Sequence, residues 1–507
     1  MFCLADSHYG RVDVPPRRVS LFANHLVFQI PKSLARKGGY DHREALFGIP
    51  PYGGSIQQNV IYAADDLCDP KVNKQGGYPE RKKGKDGKME PWEAPYILMV
   101  DRGGCTFVNK VRNAQRSGAA GVIIADNTCL CAFGANCTSD SPDTDCETRE
   151  PVMADDGSGS DITIPSFLMF KQDADPIKAA LKKNTAVRVE MAWALPSPDD
   201  RVEYELWTTP TDVVSREFQH QFKTAANALG KHAQFTPHMY IYDGAKSGCL
   251  GEDGSNQCYN LCTNNGRYCA LDPDSDLDKG ITGANVVTES LRRLCVWKLY
   301  GASDGVGAKW WDYVDEFMFR CDNEEFFAND NCVKDAMSHA KVDYHEVESC
   351  MANSGGLEGD EPNSLLQTQI ADREVSGVVI LPTVIVNSAA IRGALDFIVV
   401  FKAICAGFKK GSKPEICSKC ANCADEQGCV AAGGYCQGAQ ASVSIPVFGF
   451  SMLGLVLCFG TLGIIQWQRS QRQMREQVKG ILAEYMPLDE DNKVETAGFD
   501  DDEGEFT

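Results

Sequence analysis

The cysteines of this 507-residue chain constrain its fold most, because they divide it into two unequal parts. There are 22 of them: 21 lie between Cys3 and Cys436, one is Cys458, and none follows. Disulfides persist in secretory compartments and are rare in the cytosol. We therefore expect the residues before about 440 to be lumenal and those after about 466 to be cytosolic. Cys3 precedes any recognisable domain, and without it 20 lumenal cysteines remain, enough for ten bridges whose pairing stays open.

One apolar run separates these two parts. Residues 443–465 contain no charged side chain and are rich in Leu, Val, Ile and Phe, which predicts a transmembrane helix. A buried core helix is the alternative, but basic residues follow at once, as the positive-inside rule expects on the cytoplasmic side: Arg469, Arg472, Arg475 and Lys479. Residues 1–18 have no apolar core of the kind that a signal peptide needs, so we expect the true start of the protein to differ.

The length of the chain bounds its number of domains, and its net charge excludes one class of partner. A single hydrophobic core rarely serves so long a chain, so we expect two or more lumenal domains. The formal net charge of -20 would repel phosphate backbones, because nucleic-acid affinity comes mostly from Lys and Arg. We therefore expect no nucleic-acid partner.

The first domain, residues 19–193, alternates short apolar strands with helices, which predicts an α/β or α+β fold. Strands are predicted at 96–100, 121–125, 162–169 and 186–193, and helices at 109–117 and 175–181. The acidic, Gly- and Ser-rich stretch 129–160 is predicted to be a loop. It contains the sequon at Asn136, which predicts glycosylation there.

The sequence Asp-Arg-Gly-Gly-Cys-Thr-Phe at 101–107 follows one of these strands and precedes a helix. The two glycines let the backbone turn tightly, and Arg102 and exposed amides at a helix N-terminus suit the capture of a peptide or carboxylate. Together with Ser-Gly-Ala-Ala-Gly-Val-Ile-Ile at 117–124, this run closely resembles the protease-associated (PA) domain. An equally weighted alternative is that Arg102 only pairs with a nearby acid to hold the loop.

The second domain, residues 194–417, contains several distinctive runs of sequence. They are RVEYELW at 201–207, CYNLC at 258–262, NGRYC at 265–269 and WWDYV at 310–314. With FGIPPYGG at 47–54 and YMPL at 485–488, they resemble the plant vacuolar sorting receptor family over nearly the whole chain. That resemblance implies that the PA domain and the central domain bind soluble cargo proteins, and that EGF-like repeats, one transmembrane helix and a short tail follow.

The central domain is predicted to be thioredoxin-like. Ile-Leu-Pro-Thr at 380–383, before an apolar strand, is similar to the cis-proline segment of thioredoxin folds. Disulfide exchange would need Cys-x-x-Cys at the start of the first helix. After the candidate strand at 239–242 the chain instead reads Asp243-Gly244-Ala245-Lys246, so we expect no redox activity.

Residues 418–442 are too short for the three EGF-like repeats that the resemblance implies. Five cysteines crowd residues 417–436, Cys417, Cys420, Cys423, Cys429 and Cys436, which indicates a remnant or a short stalk. Calcium binding by such repeats is therefore in doubt. The first three cysteines could be read as zinc ligands, but structural zinc usually takes two separated pairs, and an oxidising lumen favours disulfides.

The sequence thus predicts an α/β and α+β multidomain protein. A PA domain and a disulfide-rich thioredoxin-like domain precede one transmembrane helix, at 443–465, and a disordered or helical tail, at 466–507. We expect no catalytic residues and no certain cofactor. His345-Glu346-Val347-Glu348-Ser349 begins like a zinc-protease motif but lacks the second histidine. Asp272, Asp274, Asp276 and Asp278 resemble a calcium loop but lack its glycine and its final glutamate, so we favour a solvated turn and leave calcium open.

The tail carries the sequence Tyr485-Met486-Pro487-Leu488, which matches Tyr-x-x-Φ, where Φ is a bulky apolar residue. Pro487 favours extended backbone, so the segment can add to a sheet edge with Tyr485 and Leu488 in two pockets. The partner that we expect is the medium subunit of a clathrin adaptor. The acidic run 500–503 is read as solvated disorder, with an accessory acidic signal as the alternative.

The predicted function is that of a type I membrane receptor of the Golgi, clathrin-coated vesicles and the prevacuolar compartment. The predicted cargo-binding residues are Arg102, Gly103, Gly104, Cys105, Thr106, Phe107, Val108, Asn109 and Lys110, with Phe47, Gly48 and Ile49 as a secondary set. We expect cargo release to follow lumenal pH. His42 is the histidine nearest to these segments, and a carboxylate that pairs with Arg102 would serve equally. The alternatives are a PA-bearing membrane-tethered protease, which would need a nucleophile or metal triad, and a PA-transmembrane-RING protein, which would need cysteine or histidine ligands in the tail.

Overall fold

The computed structural model describes residues 24–63, 65–70, 84–85, 87–88, 95–127, 151–421, 423–436, 454 and 457–475. The chain divides into two compact units, residues 1–437 and 438–507. Asn136 and the tail residues Tyr485, Met486, Pro487 and Leu488 lie outside the described residues.

A seven-stranded sheet organises the first domain, in the order β1-β7-β3-β4-β5-β6-β2. Its strands are β1 (Asn24–Ile30), β2 (His42–Glu44), β3 (Ser55–Tyr62), β4 (Tyr96–Asp101), β5 (Ala119–Ala125), β6 (Ser166–Met169) and β7 (Arg188–Trp193). The helices are α1 (Phe107–Arg116) and α2 (Lys171–Lys182). Strands β3 to β6 run parallel, and β1, β7 and β2 pair antiparallel at the two sides.

The central strands of this sheet are apolar on both faces because both faces are covered. Along β4, Ile97 and Met99 belong to one hydrophobic core and Leu98 and Val100 to another. This explains the continuous apolar runs in the sequence, which parallel strands require when helices or loops cover each face. The strands and helices predicted for residues 96–193 are all present, with ends shifted by a few residues.

A four-stranded sheet, in the order β14-β13-β8-β9, organises the second domain. Its strands are β8 (Val202–Thr208), β9 (Ala233–Met239), β13 (Thr383–Val386) and β14 (Ala389–Ala390). Helix α3 (Val213–Leu229) connects β8 to its parallel neighbour β9, and Leu381–Pro382 is a cis peptide directly before β13. The predicted cis-proline segment is thus confirmed. The strand predicted at 239–242 was wrong: β9 ends at Met239 and only the two-residue β10 (Tyr242–Asp243) follows.

Disulfide-bonded insertions lie between β9 and β13. The strand β12 (Tyr268–Cys269) pairs with β10 on one side and with β11 (Cys262–Thr263) on the other, which makes a small three-stranded sheet. The helices α4 (Gly283–Tyr300), α5 (Ala308–Cys321), α6 (Asp330–His339), α7 (Tyr344–Asn353) and α8 (Ser364–Ser376) follow. Cys295–Cys350 joins α4 to α7, and Cys321–Cys332 joins α5 to α6.

The cysteine-rich end of this unit packs on the thioredoxin-like core. It contains α9 (Phe397–Gly407), α10 (Glu415–Cys420) and α11 (Glu426–Ala431). The disulfides are Cys405–Cys417, Cys420–Cys429 and Cys423–Cys436. Cys417, Cys420 and Cys429 are buried in the same hydrophobic core as α3 and α9, so this segment is continuous with the domain that precedes it.

In the second unit, residues 457–475 are helical. Within the described residues, no helix combines the length and the apolar character needed to cross a membrane. Of the span predicted at 443–465, only residues 454 and 457–465 are described.

Candidate functional site

The predicted binding loop, residues 102–110, connects β4 to α1. Gly103 and Gly104 both have positive φ, 113° and 79°, which side chains with a Cβ rarely adopt. A Cβ on Gly104 would lie 3.0 Å from the Cys68 sulfur and would overlap the Asp66 carboxylate. The second glycine is therefore required by a close approach of two loops, which the sequence alone did not reveal.

A disulfide and three side chains hold this loop against residues 65–68. Cys105 is bonded to Cys68. Asn109 Nδ2 donates to the Cys68 carbonyl at 3.3 Å, Lys110 Nζ donates to the Asp66 carbonyl, and Asn113 Nδ2 donates to the Leu67 carbonyl at 2.8 Å. Thr106 caps α1 by accepting from the Asn109 amide. The loop is thus built as a rigid surface.

Arg102 lies at the start of the loop and pairs with a buried acid. Its Nη1 is 3.1 Å from Oδ1 of Asp126, whose side chain is fully buried. The Arg102 side chain keeps 25% of its surface exposed, and its guanidinium lies 5.9 Å from the Phe107 ring centroid. Arg102 therefore does pair with a nearby acid, as the alternative interpretation expected. Part of its side chain also remains on the surface.

The other predicted side chains of the loop divide into two groups. Gly104 and Thr106 are exposed, and Cys105, Phe107 and Asn109 are partly exposed. Val108 and Lys110 are fully buried, and burial lowers the pKa of the Lys110 ammonium. Helix α1 places Val108 in the core and Lys110 against residues 65–68, so both side chains stabilise the interior of the domain.

The secondary set, Phe47, Gly48 and Ile49, lies at the junction between the two domains. Phe47 is buried in the PA core, and a Cβ on Gly48 would lie 2.5 Å from the Ile164 carbonyl oxygen. The Ala394 amide donates to the Gly48 carbonyl at 2.9 Å. Phe47 was expected to contact cargo, but its ring is part of the core.

The neighbouring residues 50–54 complete that junction. Tyr52 Oη donates to the Arg392 carbonyl at 3.0 Å and accepts from the Arg392 amide at 2.6 Å. Gly53 lies so close to α9 that a Cβ would be 2.8 Å from that of Ala406. A cleft of about 440 Å³ lies between residues 49–54 and the helices α9 and α10, with Lys402 in its lining. The Pro- and Gly-rich residues 47–54 thus allow a close contact between the two domains.

His42 is not placed to sense the pH of a secretory compartment. Its ring packs 4.2 Å from the Phe167 ring, and its Nδ1 is 2.9 Å from the Tyr40 carbonyl oxygen. Burial lowers the pKa of His42 to about 4. The folded protein therefore keeps this histidine neutral over the mildly acidic range, which corrects its proposed role in cargo release.

The carboxylates and cysteines that the sequence offered as metal ligands or redox groups form hydrogen bonds or disulfides within the protein. Carboxylate oxygens of Asp272, Asp274 and Asp276 accept from backbone amides two or three residues ahead, as in a solvated turn. In the described part of the chain every cysteine except Cys458 is in a disulfide. The sulfurs weighed as zinc ligands at 417, 420 and 423 are therefore not available as thiolates.

These features define a two-domain protein: a PA domain with a rigid Gly-rich loop, joined to a disulfide-bonded thioredoxin-like domain. The vacuolar sorting receptor thioredoxin-like domain matches residues 202–405, and the PA domain matches residues 56–177. The chain is thus similar to vacuolar sorting receptors in its thioredoxin-like domain and to PA domains in the domain that precedes it.

Curated relatives agree with the domain matches. The chain is 37% identical over 395 residues to vacuolar-sorting receptor 1 of Pisum sativum, covering 75% of this chain and 59% of that receptor. It is 36% identical over 408 residues to vacuolar-sorting receptor 4 of Arabidopsis thaliana, covering 78% and 60%. The chain thus spans less than two thirds of the length of these receptors. Among solved structures, an aminopeptidase from Aneurinibacillus sp. strain AM-1 shares 17% identity over 34% of this chain and 32% of its own, at a TM-score of 0.20, too slight to support an argument.

Proposed function

We propose that this chain is a type I membrane receptor that binds soluble cargo proteins in the Golgi lumen. It delivers them in clathrin-coated vesicles to the prevacuolar compartment and the vacuole. The observation that carries this proposal is the similarity to named vacuolar-sorting receptors through both domains, at 37% identity over 75% of the chain.

The geometry of the PA loop supports a binding role. A rigid loop loses little conformational entropy when it binds a peptide, so more of the contact energy becomes affinity. Arg102 offers a cation, and the exposed Gly104 and Thr106 let a partner approach the backbone closely. We propose that cargo contacts Arg102 together with Gly103, Gly104, Cys105, Thr106, Phe107 and Asn109.

The receptor interpretation is favoured over that of a membrane-tethered protease. The relatives are named receptors, and the sequence has no complete nucleophile or metal triad. The near miss at His345 lies on α7, but position 349, where the second histidine ligand would stand, is a serine.

Depleting the chain from the cells that express it tests this function. We expect soluble vacuolar proteins to appear in the medium, because without the receptor they follow the default route to the cell surface. Re-expression of the wild-type chain should restore their retention. Normal retention of all soluble vacuolar proteins after complete depletion would contradict the proposal.

Replacing Tyr485 with alanine is expected to abolish binding of the tail to the purified medium subunit of a clathrin adaptor. An extended Tyr-x-x-Φ peptide inserts its tyrosine and its leucine into pockets, each worth about 1.5 to 3 kcal/mol of burial. The full receptor should then move toward the plasma membrane or the vacuole. Met486→Ala is the matched control, since the second position of the motif fills neither pocket. Unchanged adaptor binding by Tyr485→Ala would show that this segment is not the signal.

A further inference from the structure

The disulfides of the described residues differ in their accessibility to solvent. There are eight, and in six of them at least one cysteine is buried. The other two are Cys68–Cys105, which joins the PA loop to residues 65–68, and Cys423–Cys436. A thiol can exchange with a disulfide only if its thiolate reaches one of the two sulfurs. These two bonds are therefore the ones that such a thiol can reach.

A buried cation lies beside one sulfur of Cys68–Cys105. The Lys110 side chain is fully buried, and its Nζ donates to the Asp66 carbonyl and lies 3.7 Å from Cys68 Sγ. Burial deprives an ammonium of most of its hydration, and a nearby anion offsets part of that cost. A thiolate at Cys68 is such an anion, because a lysine beside a thiol stabilises its charged form. Cys68 is therefore the better leaving group when the bond is broken.

Two other charges near this bond have weaker effects. The Asp66 carboxylate opposes a thiolate, but it accepts from the Cys68 amide at 3.1 Å and is exposed, so solvent screens it. The N-terminus of α1 would favour a thiolate at Cys105. Thr106 stands between that cysteine and the helix, and its hydroxyl already accepts from the Asn109 amide at 3.3 Å. The buried ammonium thus decides which sulfur leaves.

Cys105 is the sulfur that is open to attack. Its neighbours Gly104 and Thr106 are both exposed, and the cysteine itself is partly exposed. The other end of the bond is more crowded. A Cβ on Gly104 would lie 3.0 Å from Cys68 Sγ, and Lys110 lies against the same sulfur. A thiolate can therefore approach Cys105 while Cys68 is placed to leave.

Cys423–Cys436 is also accessible but lies beside a different group. Its two sulfurs are 3.3 Å and 3.6 Å from the Lys419 carbonyl oxygen, which disfavours negative charge on them. The Lys419 ammonium instead pairs with Glu415 at 3.0 Å. This bond is thus an internal reference against which the effect of Lys110 can be measured.

We propose that Cys68–Cys105 is a thiol-exchange site through which a dithiol opens the PA loop. One thiolate of the dithiol forms a bond to Cys105 Sγ, and the disulfide breaks with its electron pair going to Cys68 Sγ beside Lys110. The second thiol, after losing its proton, attacks the mixed disulfide and releases the Cys105 thiolate. The dithiol is oxidised by two electrons to a cyclic disulfide, and the cysteine pair is reduced by two electrons. The two protons of the dithiol end on the cysteines or in solvent.

Opening this bond should release residues 65–68 from the loop. Leu67 has a φ of 58°, in the left-handed region that a leucine rarely adopts, and its buried side chain belongs to the PA core. The disulfide helps to hold this unfavourable backbone in place. Without it, the contacts of Asn109 and Lys110 with the segment should weaken together. A loop that must become ordered on binding binds less tightly, so exchange should lower the affinity for cargo; this consequence rests on the proposed function.

Timed reduction of the full chain in phosphatidylcholine nanodiscs tests the proposal. The chain is treated with dithiothreitol at about pH 7, free thiols are alkylated at intervals, and peptide mass spectrometry gives the rate at each cysteine. We expect Cys68–Cys105 to be reduced at least about tenfold faster than Cys423–Cys436. Hydrogen exchange of the amides at 102–110 should rise in step with that reduction while it stays unchanged in α9.

The variant Lys110→Met tests the role of the ammonium, because methionine keeps a long unbranched chain without charge. We expect reduction of Cys68–Cys105 to slow by about tenfold while Cys423–Cys436 keeps its rate. Lys110→Arg, which keeps the charge, should stay closer to the wild type. An unchanged rate at the reference bond, with the buried Cys420–Cys429 still protected, shows that each variant is folded. Equal rates at the two accessible bonds of the wild type, or equal rates in the wild type and Lys110→Met, would overturn the proposal.

A monothiol identifies the sulfur that is attacked. Brief treatment with glutathione, quenched with N-ethylmaleimide, should leave glutathione on Cys105 and maleimide on Cys68. The reverse placement would contradict the proposal, because Lys110 would then not direct the exchange. These rates are measured without cargo, so slow exchange together with the expected result of the depletion experiment would leave the receptor function standing.

Discussion

Replacing Arg102 with alanine should weaken the binding of a captured cargo protein by about 1.5 to 3 kcal/mol, while the chain remains folded. A charge-assisted hydrogen bond from the guanidinium to an electronegative group of the cargo is the reason for this size. The variant also removes the ion pair with Asp126, so its thermal stability must be measured alongside its affinity.

A matched variant distinguishes a direct contact between Arg102 and the cargo from a purely structural role of Arg102 in the loop. Asp126→Asn removes the negative partner of Arg102 but keeps the guanidinium and nearly the same side-chain shape. If Arg102 contacts cargo, Asp126→Asn should lose much less affinity than Arg102→Ala. Equal losses would mean that Arg102 only positions the loop, and unchanged affinity in a folded Arg102→Ala protein would remove it from the site.

The second large effect is loss of stability in acid. His238 is buried and His42 is half-buried against Phe167, and loss of solvation lowers the pKa of each to about 4. In the unfolded chain a histidine has a pKa of about 6.5, so between these values the unfolded state binds more protons. The contribution of these histidines to the free energy of unfolding is therefore fully present above about pH 7, and it is lost as the pH falls toward 4. At pH 5 we expect a loss of about 2 kcal/mol for each histidine.

Urea unfolding of the two-domain unit at pH 7 and pH 5 measures this loss. His42→Gln and His238→Gln should each remove about half of the histidine contribution to the difference. His238 stacks on Trp207 at 4.2 Å and lies 3.2 Å from Gln369 Oε1, so its variant also tests that packing at pH 7. The exposed His232→Gln is the control for losing an imidazole. A free energy of unfolding that is the same at both pH values would show that the two histidines are not buried in the neutral form.

Local sequence patterns predicted much of the fold. The parallel strands β4 to β6 were recognisable because strands covered on both faces are apolar without interruption. The cis-proline segment at 380–383 was recognisable because its sequence resembles a known turn. In contrast, β9 contains Pro237, which interrupts a strand pattern. The structure tolerates this proline because β9 is an edge strand.

Contacts between distant parts of the chain were not predictable from the sequence. Phe47 and Gly48 begin a sequence rich in Pro and Gly, which also describes a binding loop. Only the contacts that residues 48–53 make with Arg392, Ala394 and Ala406 show that this segment is a domain junction. Lys110 would ordinarily lie on the outer face of a helix. It is buried because the Cys68–Cys105 disulfide brings residues 65–68 over α1, and the pairing of these cysteines was open.

Capture of soluble proteins by the immobilised full chain in nanodiscs, from a secretory-pathway extract at near-neutral pH, tests the receptor proposal most directly. The captured proteins are identified by mass spectrometry and compared with those retained by Arg102→Ala. We predict that the wild-type chain retains intact soluble proteins destined for the vacuole and that the variant retains far less of them. Retention of no soluble protein above the empty-nanodisc level, or recovery of cleaved products in place of intact proteins, would contradict a cargo receptor.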